Sequence, residues 1–245
     1  PEDLVNVVQD AQTHPGRLLL FKNQQQQVDY HSAFAGYING CSIVINHVET
    51  LWRPLYDFCS YLLQDLPHAY CNLYLTPPGA QAVPAHSDDR DVLILQVWGA
   101  KQWRVYGSPQ YLPYTHEQLG KGDRSVPSSV LQEPVLADTL HSGDVLYIPR
   151  GHVHQAHTTD APSLHLTLAV ATHDWTWGTF IADAFNAVRG ARDPLRQSIP
   201  LNILQLLHGQ DSGETVAAPQ MDWAQAKAEF KTRLDAAFEE VDFEG

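Results

Sequence analysis

Cysteine is scarce in this 245-residue sequence, and none of its three cysteines forms a CxxC pair. An odd number of cysteines without paired spacing favours a reducing, intracellular compartment over a secreted disulfide framework. We therefore expect Cys41, Cys59 and Cys71 to be core residues. A chain of this length buries enough apolar surface to be stable without disulfides, and it suits one substantial domain plus an appendage.

Long apolar runs are also missing. No stretch reaches membrane-spanning length, and the opening residues PEDLVNVV have neither the basic patch nor the apolar run of a signal peptide. These absences predict that the protein has no membrane partner. They favour an intracellular location, in the cytoplasm or, in a eukaryote, in the nucleus or nucleolus.

Basic residues are few, since 15 Lys and Arg stand against 28 Asp and Glu, for a formal net charge of -13. Nucleic-acid binding depends largely on Lys and Arg that displace phosphate counterions, so direct binding of nucleic acid is not expected. A basic partner fits this charge better, and we expect a peptide to enter an acidic mouth. Solubility alone is the simpler explanation of the same charge.

Short apolar runs separated by Pro and Gly turns predict a β-rich fold. Two outer strands are predicted at RLLLF (17–21) and CSIVI (41–45), and later strands at YCNLYLT, DVLILQVW, KQWRVYG, DVLYIP and SLHLTLAV. Many short strands of this kind indicate a barrel or a sandwich. The polar stretch 107–135 is too long for a hairpin turn and is predicted to cross the mouth of the barrel.

Helical spacing occurs in two places. Apolar residues from Leu51 to Leu63 recur at helical intervals, with Thr50 as a possible N-cap. After Trp175 the strands stop, and WTWGTFIADAFNAV, PLRQSIPLNILQLLH and MDWAQAKAEFKTRLDAAFEE predict three helices, with a linker at 209–220. The predicted organisation is a β-rich domain over 1–174 and a helical region over 175–245.

Two histidines and one aspartate are the candidate metal ligands. His86 and Asp88 stand two residues apart at the entrance to an extended segment, where alternation aims both side chains to one side. The segment GDVLYIPRG predicts a turn, a buried strand and a second turn, which return His154 to the interior. Two histidines and one carboxylate are the ligand set of non-haem Fe(II) oxygenases and leave one face of the octahedron open.

Lys101 is a candidate for binding an anion. It follows an apolar strand and its turn, and it alternates with Trp103, so both side chains should face one side. A buried ammonium needs an anion, and the distal carboxylate of 2-oxoglutarate would provide one. The alternative is a solvated lysine on an outer strand.

Several ordered motifs carry a family resemblance. These are NLYLTPPG (72–79), HSDD (86–89), LQ (95–96), GAKQWR (99–104) and GDVLYIPRGHVH (143–154). Together they resemble the JmjC-type ribosomal oxygenases, over roughly residues 38–175. The resemblance implies a mainly β fold with added helices: a double-stranded β-helix of the jelly-roll or cupin type, followed by a helical region that forms a homodimer.

The resemblance also implies an activity and its cofactors. These proteins are dioxygenases that use Fe(II), 2-oxoglutarate and molecular oxygen to hydroxylate histidine or arginine in ribosomal proteins, so the expected partner is a basic ribosomal protein. Position by position, His86, Asp88 and His154 match the iron ligands, and Lys101 matches the residue that binds the 2-oxoglutarate carboxylate. The lysine and the NLYLTPPG motif are closer to the histidine-modifying branch.

Two further positions match the pocket of the family. Asn72 and Tyr74 are expected near the co-substrate and the substrate, and the alternative is plain strand structure, with Asn72 satisfying backbone groups. His165 either faces the pocket or is a hydrogen-bonded core histidine. Ser87 departs from the family pattern, because an aromatic residue is usual at that position.

Three other functions stay open. The first is a related 2-oxoglutarate oxygenase that acts on tRNA, a histone tail or another peptide. The second is a cupin-type enzyme that uses Zn or Mn without 2-oxoglutarate, in which Lys101 would have no carboxylate to bind. The third is a non-catalytic binding module whose late helices form its interaction surface.

Overall fold

The computed structural model describes residues 2–66, 68–174, 176–189 and 223–238. The chain divides into two compact units, Pro1–Trp175 and Thr176–Gly245. The second unit contains the helices α4 (Trp177–Arg189) and α5 (Trp223–Phe238). The predicted helix at 194–208 and the predicted linker at 209–220 lie outside the described residues.

The described residues of the first unit form nine strands and three α-helices. Its helices are α1 (Glu2–Thr13), α2 (Ala33–Ile38) and α3 (Arg53–Leu62). Its strands are β1 (Leu18–Lys22), β2 (Gln25–Gln27), β3 (Ser42–Ile45), β4 (Ala69–Thr76), β5 (Asp91–Val105), β6 (Leu136–His141), β7 (Val145–Ile148), β8 (His154–His157) and β9 (Ser163–Val170). Neighbouring strands run antiparallel in the order β2-β1-β3-β4-β9-β5-β6, and β7 and β8 both pair with β5. This is the predicted double-stranded β-helix.

Strand β5 connects the two sheets of the β-helix. The sequence predicted two strands here, but the structure has one continuous strand with a bulge between Gln96 and Trp98. The first part of β5 pairs with β9 and β7, and the last part pairs with β6 and β8. A bulge inserts one residue and so reverses which alternate residues face the cavity. Even-numbered residues, Val92 and Ile94, face it before the bulge, and odd-numbered residues, Lys101 and Trp103, face it after the bulge.

Strand β4 separates the apolar core from the cavity. Its alternate residues Cys71, Leu73 and Leu75 pack in the core with residues of α1, α3 and β3. The residues between them face the cavity, as alternation requires. All three cysteines are free and buried, as predicted.

Three predictions about local structure were wrong, and one helix was missed. Helix α3 is capped by Trp52 and not Thr50, because Pro54 suits the first helical turn. Strand β3 is buried between β1 and β4 and is not an outer strand. Strand β7 is only half-buried, with Val145 and Tyr147 exposed, because it pairs with β5 alone. Helix α1 was missed, although Leu4, Val7, Val8 and Ala11 form an apolar stripe along it.

Within the described residues, no helix combines the length and the apolar character needed to cross a membrane.

Candidate metal centre

The three candidate ligands meet at one point in the structure. His86, Asp88 and His154 each offer a ligand atom, and these atoms all lie within 4.8 Å of one another. The two histidines exchange backbone hydrogen bonds, of 3.1 Å from His86 N to His154 O and 2.8 Å in return. This pairing places their ring centroids 4.4 Å apart, and Asp88 Oδ2 lies 3.6 Å from His154 Nε2.

Both imidazoles are held in the tautomer that binds metals through Nε2. Nδ1 lies 2.8 Å from Pro84 O in His86 and 3.1 Å from His152 O in His154. A carbonyl oxygen only accepts hydrogen bonds, so each Nδ1 carries the proton and each Nε2 keeps its lone pair. Burial lowers the pKa of His86 to about 3 and also lowers the pKa of His154, so both rings are neutral at physiological pH.

Asp88 supplies the negative charge. Burial by itself would raise the pKa of this carboxyl group, but the Lys121 ammonium and the two imidazoles lower it below its usual value. Lys121 Nζ donates a hydrogen bond to Asp88 Oδ1. Two neutral nitrogen donors and one anionic oxygen donor suit a divalent metal with open coordination positions.

The candidate ligands open into a cavity of about 470 Å³ between β4, β5 and β9. Its charged lining residues are Arg90, Lys101 and Lys121 against Asp88. Arg90 pairs with Asp89 and Lys121 pairs with Asp88, so Lys101 is the cation of this lining that has no carboxylate partner among the described residues. Such a lining favours an anionic ligand. The acidic mouth inferred from the net charge stays a prediction.

Lys101 lies at the bottom of this cavity without an anionic partner. Its side chain is buried, and Nζ donates a hydrogen bond to Thr76 Oγ1 at 3.0 Å. Burial lowers the pKa of Lys101 to about 7, and no acidic side chain of the described residues forms an ion pair with it. The alternative of a solvated lysine is excluded. Thr76 was not predicted, but it follows Asn72 and Tyr74 in steps of two, so strand alternation could have identified it.

Tyr74 and His165 form one wall of the cavity. Their rings stack with centroids 4.7 Å apart and planes 5° apart, and Trp103 meets His165 edge-on at 5.4 Å. Burial raises the pKa of Tyr74, whereas burial and the Lys101 charge lower the pKa of His165, so both rings are neutral. Because His165 lines the cavity, it is the pocket-facing residue of the two alternatives.

Asn72 also lines the cavity, but its carbonyl oxygen is used elsewhere. Asn72 Oδ1 accepts a hydrogen bond of 3.0 Å from the backbone N–H of His47, a residue in the left-handed conformation with φ 52°. Asn72 thus satisfies a backbone group in a strained turn, which was the alternative reading of this residue.

The segment 107–135 reaches the cavity, as predicted, through Gln118, Gly120 and Lys121. Its position is fixed beside the candidate ligands by two hydrogen bonds of 2.9 Å, from Ser87 N to Leu119 O and from Leu119 N to Ser87 Oγ. Ser87 therefore binds this segment through both its backbone N–H and its hydroxyl oxygen. Lys121 and Gln118 were missed because a polar loop has no periodicity that reveals its contacts.

Gly120→Ala is expected to displace this segment from the ligands. Gly120 has φ 72°, and an added Cβ would overlap Ala85 O and lie 2.8 Å from His86 Cα. We expect the variant to unfold at lower temperature and to bind Co(II) more weakly, as calorimetry can measure. Gly122→Ala is the matched control, because its φ is 55° but no atom lies within 4 Å of the added Cβ. Equal behaviour of the two variants would contradict the role of this close contact.

Fold and site together define a double-stranded β-helix with a 2-His-1-carboxylate site in its cavity. The model of the JmjC domain matches residues 47–177, which is more than half of the chain. The chain belongs to the JmjC domain family.

Its relatives in that family are ribosomal oxygenases and related proteins. The chain is 35% identical to the bifunctional lysine-specific demethylase and histidyl-hydroxylase NO66 of Dictyostelium discoideum, over 70% of this chain and 34% of that protein. It is 35% identical to ribosomal oxygenase 1 of Gallus gallus, over 69% of this chain and 28% of that protein. The chain thus spans about a third or less of the length of these relatives.

Solved structures support the fold. YcfD, a ribosomal oxygenase from Escherichia coli whose structure was solved in complex with cobalt and 2-oxoglutarate, gives a TM-score of 0.59 at 16% identity. That comparison covers 98% of this chain and 59% of the other. At this identity the similarity establishes the shared architecture.

Proposed function

We propose that this chain is an Fe(II)- and 2-oxoglutarate-dependent protein hydroxylase. One observation carries the proposal: a single cavity contains a 2-His-1-carboxylate site and a buried ammonium that pairs with no carboxylate of the described residues. 2-Oxoglutarate has a carboxylate at each end, so it can complete both sites at once. A cupin-type Zn or Mn enzyme without this co-substrate would leave Lys101 uncompensated.

The residues divide the work of binding. His86, Asp88 and His154 would hold the iron, while Lys101 and the Thr76 hydroxyl would hold the distal carboxylate of 2-oxoglutarate. Bound iron and 2-oxoglutarate would supply the oxidising chemistry, in which O₂ gives one oxygen atom to a substrate C–H bond and the other to succinate, as CO₂ leaves. The apolar side chains on the cavity wall, Val92, Ile94 and Trp103 among them, exclude water around these groups.

We propose a histidine side chain of a ribosomal protein as the substrate. The names of the relatives support this class, since the one from Dictyostelium discoideum is a histidyl-hydroxylase and the one from Gallus gallus is a ribosomal oxygenase. A related oxygenase acting on tRNA or a histone tail is the second candidate, but no feature of the described residues favours it.

The proposal includes an intracellular location and self-association through the helical unit. The three cysteines without disulfides suit a reducing compartment. The helices α4 and α5 expose large apolar side chains, including Trp177, Phe180 and Phe230, which suit a protein interface.

The function is tested by supplying every reactant and following two products. Protein loaded anaerobically with Fe(II), then given O₂, 2-oxoglutarate and a digest of ribosomal proteins, is expected to release succinate and to add one oxygen atom to a histidine-containing peptide, as mass spectrometry would detect. His86→Ala should abolish both products, whereas His31→Ala, which changes an exposed histidine, should not. Binding of 2-oxoglutarate without succinate would instead indicate a binding module.

A further inference from the structure

Lys121 lies outside the predicted site but contacts one of its ligands directly. Its Nζ donates hydrogen bonds to Asp88 Oδ1 and, at 2.8 Å, to Gln118 Oε1. The other carboxylate oxygen, Asp88 Oδ2, lies 3.6 Å from His154 Nε2. The two oxygens of Asp88 therefore have different surroundings: one faces the histidines and the other faces an ammonium.

The side chain of Gln118 fixes this ammonium in place. Gln118 Nε2 donates hydrogen bonds to Asp89 Oδ2 at 3.1 Å and to Thr115 O at 3.0 Å. Both acceptors are oxygens, so the amide nitrogen must point toward them and the amide oxygen must point toward Lys121. The Lys121 side chain, which is 42% exposed, is therefore held beside Asp88 by its hydrogen bonds to the Asp88 carboxylate and the Gln118 amide.

We propose that Lys121 is a positioning residue that makes Asp88 bind the metal through a single oxygen and so keeps a coordination position free. The inference rests on the proposed function. A carboxylate can bind a cation through one oxygen or through both. The hydrogen bond from Lys121 occupies Oδ1, which leaves Oδ2 for the metal.

The consequence is a matter of counting positions. Two histidines and one carboxylate oxygen take three positions of an octahedron and leave three. A co-substrate that binds through two oxygens and a molecule of O₂ need all three. If both oxygens of Asp88 bound the ion, only two positions would stay open, and the co-substrate would fill both and leave none for O₂.

Lys121→Met is expected to change metal binding and co-substrate binding in opposite directions. Without the ammonium, both oxygens of Asp88 turn to the ion and a nearby positive charge is gone, so Co(II) should bind about tenfold more tightly, or about 1.4 kcal/mol. 2-Oxoglutarate should bind the Co(II) protein about tenfold more weakly, because the dianion loses the attraction of the Lys121 ammonium and must fit the last two coordination positions. Simple loss of structure would weaken both.

The experiment uses the whole chain and Co(II) in place of Fe(II), so that binding can be measured in the presence of air without turnover. Isothermal titration measures Co(II) and then 2-oxoglutarate binding, the visible absorption of Co(II) reports its coordination, and thermal unfolding shows that each variant is folded. Arg124→Met is the matched control, because it removes a cation three residues away whose side chain contacts Glu117 O at 3.5 Å and not Asp88. Gln118→Leu should shift both affinities in the direction of Lys121→Met, by smaller factors.

These measurements decide whether Lys121 controls how Asp88 binds the metal. Tighter Co(II), weaker 2-oxoglutarate and a crystal structure with both Asp88 oxygens on the ion in Lys121→Met, beside wild-type values for Arg124→Met, support the proposal. Unchanged or weaker Co(II) binding in Lys121→Met, or an Asp88 that still binds through one oxygen, overturns it. Should the wild-type protein bind no 2-oxoglutarate, the proposed function fails, while the Co(II) measurements still judge the role of Lys121.

Discussion

Asp88→Asn is expected to abolish turnover and to weaken the binding of Fe(II) or Co(II) more than about 100-fold. Loss of a group that only supports a metal ligand costs about 10–100-fold in metal affinity, and Asp88 is a ligand itself. The amide keeps the shape of the side chain but removes the only anionic donor of the site. It also leaves the Lys121 ammonium without a counter-ion, in a cavity that contains Arg90 and Lys101. The positive charge of the lining then opposes the metal directly.

Metal content after dialysis and isothermal titration would measure this loss. Asp123→Asn is the control, because it removes a carboxylate from the same loop at an exposed position. Retention of wild-type metal affinity by Asp88→Asn would mean that the ion, if any, binds elsewhere.

Lys101→Met is expected to reduce the affinity for 2-oxoglutarate at least about thirtyfold. Truncating one partner of a buried charge pair costs about 2–5 kcal/mol, and thirtyfold corresponds to the lower end of that range. Methionine fills the space of the aliphatic chain but offers no donor to the distal carboxylate. Co(II) affinity should stay unchanged, because Lys101 does not touch the metal ligands. Arg104→Met on the same strand is the control, since Arg104 is exposed.

The pH dependence of the same titrations shows whether Lys101 binds 2-oxoglutarate through its charge or only through packing contact. With a pKa of about 7 in the ligand-free protein, Lys101 is charged below that pH and increasingly neutral above it. Above pH 7, binding of the dianion must therefore take up a proton, so wild-type affinity should fall as pH rises. Lys101→Met should lack this slope, and an equal slope in both proteins would exclude Lys101 as its source.

Local rules were enough to predict which residues converge. Alternation along an extended segment placed His86 with Asp88, and a turn-strand-turn pattern returned His154 to the same place. The same rule identified Lys101 and Trp103 as neighbours in one cavity. These residues obey short-range geometry, which a sequence displays directly.

Contacts made by irregular backbone could not be predicted. The contact of Lys121 with Asp88 depends on how a polar loop folds back over 33 residues, and no periodicity encodes that path. The bulge in β5 was hidden for a related reason, because one inserted residue changes which side chains face inward without changing the apolar pattern on either side. The net charge of the chain does not predict the charge of this cavity, because it sums over the whole surface, whereas four charged side chains line the cavity.

The reciprocal hydrogen bonds between the His86 and His154 backbones separate folding from metal loading. These two residues are 68 positions apart in sequence, yet hydrogen bonds between peptide groups hold them adjacent. We therefore expect the fold to keep both donors adjacent without a metal, unlike small domains that fold only around their zinc. Chelators should strip this protein to an intact apo form, so its metal occupancy can follow the supply in the cell while the folded population stays constant.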